Sequence, residues 1–299
     1  MRYRYVTADV FTSQPYCGNP LAVVFDAQGL STAQMQRIAR EFNYSETSFV
    51  LPPRDPVHTA QVRIFTPDRE VPFAGHPNVG TAVALAREMA ASGRQAPDAF
   101  VFEEEAGLVR IALRKGAQDV DGAELQAPQP LSRAGVAPAA AVARALRLDP
   151  VDIDMTEHEP QVVSVGLEFL VVQLASREAL RRAVPDPAGY AALLPLDGAK
   201  SIYAYTTDTG GGADIQARMF TGRMTEDPAT GSATAAATAL RAVLRGQGAL
   251  RLRVEQGVDM GRASVLLAHA EPRADGVWAG VAGQAVVVME GTLAAPESD

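Results

Sequence analysis

The sequence has a single cysteine, Cys17, among its 299 residues. One thiol allows neither an internal disulfide nor a cysteine-based zinc cluster, and it fits a reducing compartment. No apolar run approaches the ~18 residues of a membrane-spanning helix. Met1 leads into alternating apolar and polar residues, with no basic-then-apolar leader. The expectation is a soluble, cytoplasmic chain with no membrane partner. A net charge of −8 argues against a nucleic-acid partner, because such binding neutralises phosphates with Lys and Arg. No Gly-x-Gly-x-x-Gly follows a strand pattern and no Walker loop is present, so no nucleotide cofactor is expected. His-Glu-x-x-His and Gly-x-Ser-x-Gly are also missing, which sets aside metal-hydrolase and serine-hydrolase readings. No metal ligand set and no cofactor is expected.

What is present is globular in character, with 47% hydrophobic and 21% charged residues. The length favours two domains. Residues 63–82 read R-I-F-T-P-D-R-E-V-P-F-A-G-H-P-N-V-G-T-A, a strand, a turn and a helix start. A weaker copy follows from Arg218, R-M-F-T-G-R-M-T-E-D-P-A-T-G-S-A-T-A. Arg63 and Arg218 lie 155 positions apart, and Glu70 and Glu226 lie 156 apart. The copy keeps Pro72/Pro228 and Gly75/Gly231, and sets Ser232 against His76. A duplicated unit is expected, its two corners facing one another across a cleft.

The rest of the pattern supports such halves. Strands are predicted over 3–11, 21–25, 48–51 and 57–65. Ser31 caps a helix, with Gln34 completing a capping box and Met35, Ile38, Ala39 and Phe42 forming its buried stripe. Pro77 suits the first position of a helix over 78–91. A hairpin over 100–104 and 108–113, a turn over 116–122 and a linker over 126–135 follow. The second half repeats the mixture, with helices over 138–148 and 233–244 and shorter ones at Ser176 and 190–194. Its strands fall over 161–165, 169–174, 201–206 and 213–220. Three or four closing strands are expected, over 250–255, 263–271, 277–282 and 285–293. Strands in hairpin runs favour an α+β fold over a doubly wound parallel sheet.

Helix starts offer unpaired N–H groups and a partial positive charge, and so bind carboxylate or phosphate. Gly75 and Gly231 let the backbone approach a ligand, or else merely permit tight turns. His76, between Gly and Pro, suits proton handling or a structural hydrogen bond. Asp227 is a carboxylate at the second corner, either catalytic or a dipole partner, with Glu226 and Glu70 as alternates. Glu46, flanked by Ser45, Thr47 and Ser48, is by position an ordinary surface glutamate; burial at a cleft would suit it to acid–base work. His58, His158 and His269 are given surface or structural roles. Cys17 is given the part of a buried or loop thiol.

Taken together, D-V-F-T-S-Q-P-Y-C-G-N-P-L-A-V-V (9–24), N-Y-S-E-T-S-F-V (43–50), F-T-P-D-R-E-V-P-F-A-G-H-P (65–77), E-D-P-A-T-G-S-A (226–233) and Q-G-V-D-M-G-R-A-S (256–264) resemble the phenazine-biosynthesis (PhzF-like) isomerase family, in order and over nearly the whole chain. The resemblance implies a diaminopimelate-epimerase-like fold. That fold has two pseudo-symmetric domains, each a curved, mostly antiparallel sheet around a central helix. Their expected bounds are 1–126 completed by 284–299, and 127–283, with the active site in the cleft between them. Racemases of the wider superfamily place a cysteine at each corner, and neither corner has one here. The resemblance instead implies Glu46 as the proton-transfer residue, with His76 and Asp227 beside it. The substrate, a small carboxylate that is cyclic or amino-bearing, would sit on backbone N–H groups near Gly75, His76, Gly231 and Ser232. The expected activity is a cofactor-independent proton shift by a homodimer. The alternatives are an epimerase or cis–trans isomerase on the same fold, and a non-catalytic binding or interaction protein.

Overall fold

The computed structural model describes residues 1–116, 119–246 and 248–297. Residues 117 and 118 of the expected turn, and 298 and 299 of the segment closing the first half, lie outside them. The chain divides into two compact units, Met1–Leu125 with Ala282–Asp299, and Gln126–Val281. Among the described residues no helix is long and apolar enough to cross a membrane.

The first unit runs β1 (Arg2–Val10), β2 (Asn19–Val24), α1 (Thr32–Phe42), β3 (Glu46–Leu51), β4 (Ala60–Phe65), β5 (Glu70–Val71), α2 (Gly75–Ala91), β6 (Ala99–Glu104), β7 (Gly107–Lys115) and β8 (Val120–Gln126). The second runs β9 (Ser132–Val136), α3 (Ala139–Ala145), a 3₁₀ turn, β10 (Gln161–Ser164), β11 (Glu168–Gln173), α4 (Arg177–Arg182), α5 (Pro187–Leu193), β12 (Ile202–Thr206), β13 (Ile215–Phe220), β14 (Glu226–Asp227), α6 (Gly231–Leu244), β15 (Leu250–Gln256), β16 (Ser264–Arg273) and β17 (Gly276–Ala294). The two closing strands expected over 277–282 and 285–293 are one continuous strand, β17, which continues into the first unit and pairs antiparallel with β1. Part of the expected linker is ordered as β9, which pairs with β10.

The sheet is mixed and the fold is α+β. In the first unit β1–β2, β3–β4, β4–β5 and β6–β7 are antiparallel, and β2–β3 and β4–β6 are parallel. In the second, β10–β11, β12–β13, β13–β14 and β15–β16 are antiparallel, and β11–β12 and β13–β15 are parallel. The same order of pairings therefore recurs. Register follows too, since Thr47 stands opposite Phe65 and Ile202 opposite Phe220.

Each unit has one helix with almost no solvent face. α2 packs on β1, β2, β3 and β7, and α6 on β10, β11, β15 and β16. Small residues make this possible. Residues His76–Ala84 of α2 are all buried, as are Ala233–Ala242 of α6. A helix apolar on every side belongs in a core. α1 is the amphipathic kind, and its Ser31/Gln34 capping box forms as expected. Met35, Ile38 and Ala39 meet Tyr3, Val24, Phe49 and Phe65, with Phe42 at the margin. The second unit's cluster joins Val142, Leu146, Leu180, Tyr190, Ile202 and Phe220. His158, expected in a charged loop, is buried, with Nε2 2.8 Å from the Tyr205 oxygen, which also accepts from the buried Arg241.

Gly80 is a point of close approach between α2 and the sheet. A Cβ there would stand 2.6 Å from Leu21 Cδ2 and 2.7 Å from Val10 Cγ2. Alanine would gain about 1 kcal/mol of helix propensity. Overpacking a filled core costs about 1–3 kcal/mol. Gly80→Ala is expected to lower stability by about 1 kcal/mol in urea unfolding, and Gly80→Val by more.

Candidate active site

Each corner is closed by the same clamp. Arg63 Nε and NH2 donate to the two Glu70 oxygens at 2.7 and 2.6 Å, and the guanidinium lies 5.2 Å from the Phe65 ring centre. Arg218 repeats this with Glu226 at 2.9 and 2.7 Å, 4.8 Å from the Phe220 ring. Paired N–H donors against a carboxylate fix geometry as well as adding attraction. Glu70 and Glu226, considered as alternates to Asp227, are therefore occupied in holding the short strands β5 and β14 against β4 and β13.

The clamp delivers the chain into a helix start. α2 begins at Gly75, so Pro77 is its third residue, not its first. It still lies in the first turn, where a missing N–H costs no helical bond. Gly75 and His76 are the first two residues of α2, and Gly231 and Ser232 the first two of α6. Neither helix has a side-chain cap or an acidic residue in its first turn. By contrast, Ser31, Ser176 and Asp186 cap α1, α4 and α5. The uncapped starts keep the character of an anion site.

His76 and Glu46 are brought together within the first unit. Glu46 opens β3, opposite Leu21 of β2, and is a strand residue rather than a loop glutamate. Its Oε2 lies 3.4 Å from His76 Nε2; the glutamate side chain is 20% exposed and the histidine 6%. The imidazole donates to the Pro20 carbonyl. Nε2 has no hydrogen bond, so Nδ1 is that donor. Burial pushes the His76 pKa down to about 3. The ring is thus neutral at ordinary pH, with an unprotonated Nε2 beside the Glu46 carboxyl. This is an acceptor for a proton carried by Glu46 or by a ligand, rather than an ion pair.

Asp227 lies in β14 of the second unit. Thr230, the residue before α6, turns its hydroxyl to Asp227 Oδ2 instead of capping its helix. Gln256 secures this turn from β15. Its Nε2 donates to Asp227 O at 2.8 Å and Thr230 Oγ1 at 3.0 Å, and its Oε1 accepts from Thr230 N at 3.1 Å. Gly257, at φ +73°, follows because a Cβ there would stand 2.6 Å from Pro228 O. Thr230 and Gln256 belong to sequence blocks noted above, but nothing in their spacing shows that they touch. Cys17 sits half-buried in a loop, and His58 bonds Glu103 at 2.8 Å. His269 is a strand residue of β16.

The buried neutral His76 has a consequence for acid stability. Its folded pKa lies below the unfolded value, so between about 3 and 6.5 the unfolded chain binds the extra proton. Stability contributed at neutral pH is then lost as pH falls through that window, by at most about 1.4 kcal/mol per pH unit. The His76 ring resonances are expected not to titrate between pH 8 and 5 in NMR, and His76→Gln is expected to flatten the acid limb of the stability curve.

The phenazine biosynthesis-like protein family (PhzC-PhzF) matches residues 8–291. An uncharacterized isomerase of Mesorhizobium japonicum is 41% identical over 270 residues, covering 87% of this chain and 88% of that one. The trans-2,3-dihydro-3-hydroxyanthranilate isomerase of Pseudomonas chlororaphis is 36% identical over 298 residues, covering 97% and 99%. A PhzF-family protein of Bacillus anthracis has a crystal structure that superposes with a TM-score of 0.89 at 25% identity, covering 98% of this chain and 99% of that one. A hydroxyproline epimerase of Agrobacterium vitis shares the fold with a TM-score of 0.63 at 12% identity, over 98% and 91%. The chain belongs to the phenazine biosynthesis-like (PhzC-PhzF) family and is an isomerase.

Proposed function

We propose that this isomerase moves a proton between carbons of a small carboxylate without a cofactor, with Glu46 as the base that takes the proton and the acid that returns it. The observation that carries this is the Glu46 carboxyl 3.4 Å from the unprotonated Nε2 of a buried histidine. One C–H bond breaks as Glu46 is protonated, and another forms on the same molecule as the carboxylate is restored. His76 accepts a hydrogen bond from the protonated Glu46 or from a substrate hydroxyl or ammonium. Asp227, held by Thr230 and Gln256, orients the substrate and offers a carboxylate to an amino group. The uncapped helix starts at Gly75, His76, Gly231 and Ser232 take the substrate carboxylate and the enolate-like charge that develops. Positioned acid–base transfer accounts for roughly 10²–10⁴-fold of the acceleration.

A relative acting on trans-2,3-dihydro-3-hydroxyanthranilate supports a cyclic, amino-bearing carboxylate as the substrate class. The recurring strand order supports two pseudo-symmetric, diaminopimelate-epimerase-like domains, 1–126 with 284–299 and 127–283. We also assign the protein to the cytoplasm as a homodimer.

Trans-2,3-dihydro-3-hydroxyanthranilate is the first substrate to offer. Glu46→Gln is expected to lower kcat by roughly 10²–10⁴-fold, the range of a lost positioned base, with the fold intact; turnover at the wild-type rate would sink the assignment. In deuterated water a proton shift labels the newly formed C–H, whereas an epimerase labels the carbon that lost its proton. Label confined to the original carbon would replace the proton shift by epimerisation.

A further inference from the structure

Glu104, the last residue of β6, has both carboxylate oxygens buried without a hydrogen bond. Its polar neighbour is Asn78, in the first turn and a half of α2. The Asn78 amide Nδ2 donates to the carbonyl of Ala74, the residue before α2, at 3.1 Å. That fixes the amide's orientation and leaves Asn78 Oδ1 buried with no donor. An ionised Glu104 is acceptor-only: it can take the second Asn78 N–H, the contact that opposes the rise of its pKa, but it leaves Asn78 Oδ1 without a donor. One proton on Glu104 supplies the donor that Asn78 Oδ1 lacks. The hairpin that carries it is already tied to the corner, since Ala106 N donates to Pro72 O at 3.1 Å.

The second unit shows what this position does. Ala60 and Gln61 of β4 stand opposite Phe102 and Glu103, as Ile215 and Gln216 of β13 stand opposite Val254 and Glu255. With Ala60 and Ile215 equivalent, the next residue along β6 is Glu104 and along β15 is Gln256. Gln256 holds the start of α6 by donating and accepting at once. A carboxylic acid has the same donor and acceptor pair as that amide; a carboxylate does not.

We propose that Glu104 is a positioning residue of the α2 start that works as the neutral acid, donating to Asn78 Oδ1 and through it steadying Ala74, Gly75 and His76. Burial raises its pKa to about 8, opposed only by Asn78. The charged groups around it are otherwise engaged or distant in effect. His76 on α2 is neutral, Arg63 and Glu70 on β4 and β5 pair with each other, and Glu103 is bound by the backbone of Arg54 and Asp55 and by His58. Arg54 and Asp55 of the loop before β4, and Glu105 of the hairpin, complete the set. Above about pH 8 the relay loses its proton, and a buried anion stands beside the helix start that the substrate carboxylate is to use. That last consequence rests on the isomerase reading; the protonation of Glu104 does not.

The test is a carboxyl-¹³C glutamate NMR titration of the whole chain, with Glu104 assigned by its absence in Glu104→Gln. The expected midpoint is near 8, against an ordinary 4.5. A raised folded pKa means stability that is full below the unfolded pKa and is lost as pH rises to the folded one. The Tm advantage of Glu104→Gln over wild type is therefore expected to grow from about pH 4.5 to 8 and stay level beyond. A midpoint in the ordinary carboxylate range, or parallel pH curves for the two proteins, overturns the proposal. Failure of Glu104→Gln to fold also overturns it, because the amide keeps both the donor and the acceptor; Glu104→Asp then provides the assignment. None of these readouts depends on turnover, so loss of the isomerase reading would leave their meaning unchanged.

Discussion

The constraint on which the first unit depends is the burial of the start of α2. A helix start normally faces water, which satisfies its N–H groups. Here Gly80 lets the helix lie against Leu21 and Val10, and residues from His76 onward leave solvent. Every polar group in that turn then has to be neutral or paired, because a lone buried charge is costly. His76 gives up its proton, with its bare Nε2 3.4 Å from Glu46. Glu104, beside Asn78 of the same helix, does the reverse and retains its proton. The low polarity that makes these groups unusual also strengthens whatever electrostatic contact a ligand makes there.

The two units share an order of strand pairings and differ at the candidate residues. Arg63–Glu70–Phe65 and Arg218–Glu226–Phe220 make the same two-pronged clamp over an aromatic ring, and both precede an uncapped helix. The register that puts Glu46 before Thr47 puts Ser201 before Ile202. The second unit therefore has no carboxylate where the first has its candidate base. It has Asp227 instead, secured by Thr230 and Gln256. The recurring strand register thus carries the proposed base, Glu46, in the first unit alone.

Much of this was legible in advance because it is local. The capping box at Ser31 and Gln34, the stripe on α1 and the two Arg-x-Phe-Thr blocks depend on neighbours a few residues apart. The family motifs named Glu46, His76 and Asp227, of which the structure brings the first two within 3.4 Å. Pro77 was misplaced by two positions because Gly75 and His76 tolerate helical geometry without signalling it. The break expected after 282 did not occur, since Gly283 and Gln284 continue β17. His158 lies in a loop as expected, but its charged neighbours conceal its burial and a partner 47 positions away, Tyr205.

By itself the sequence determined the repeat, the α+β class, the lack of a thiol at either corner and the identity of the residues at the two helix starts. Those follow from residue type and spacing along one chain. Only the tertiary structure decided the protonation of His76 and Glu104, the occupation of Glu70 and Glu226 by arginine, and the hold of Gln256 on the Asp227 turn. Each of these depends on what surrounds a side chain from distant strands, on the water excluded there and on which donors are already taken. Burial and donor count are properties of the packed neighbourhood, and no spacing in a single sequence encodes them.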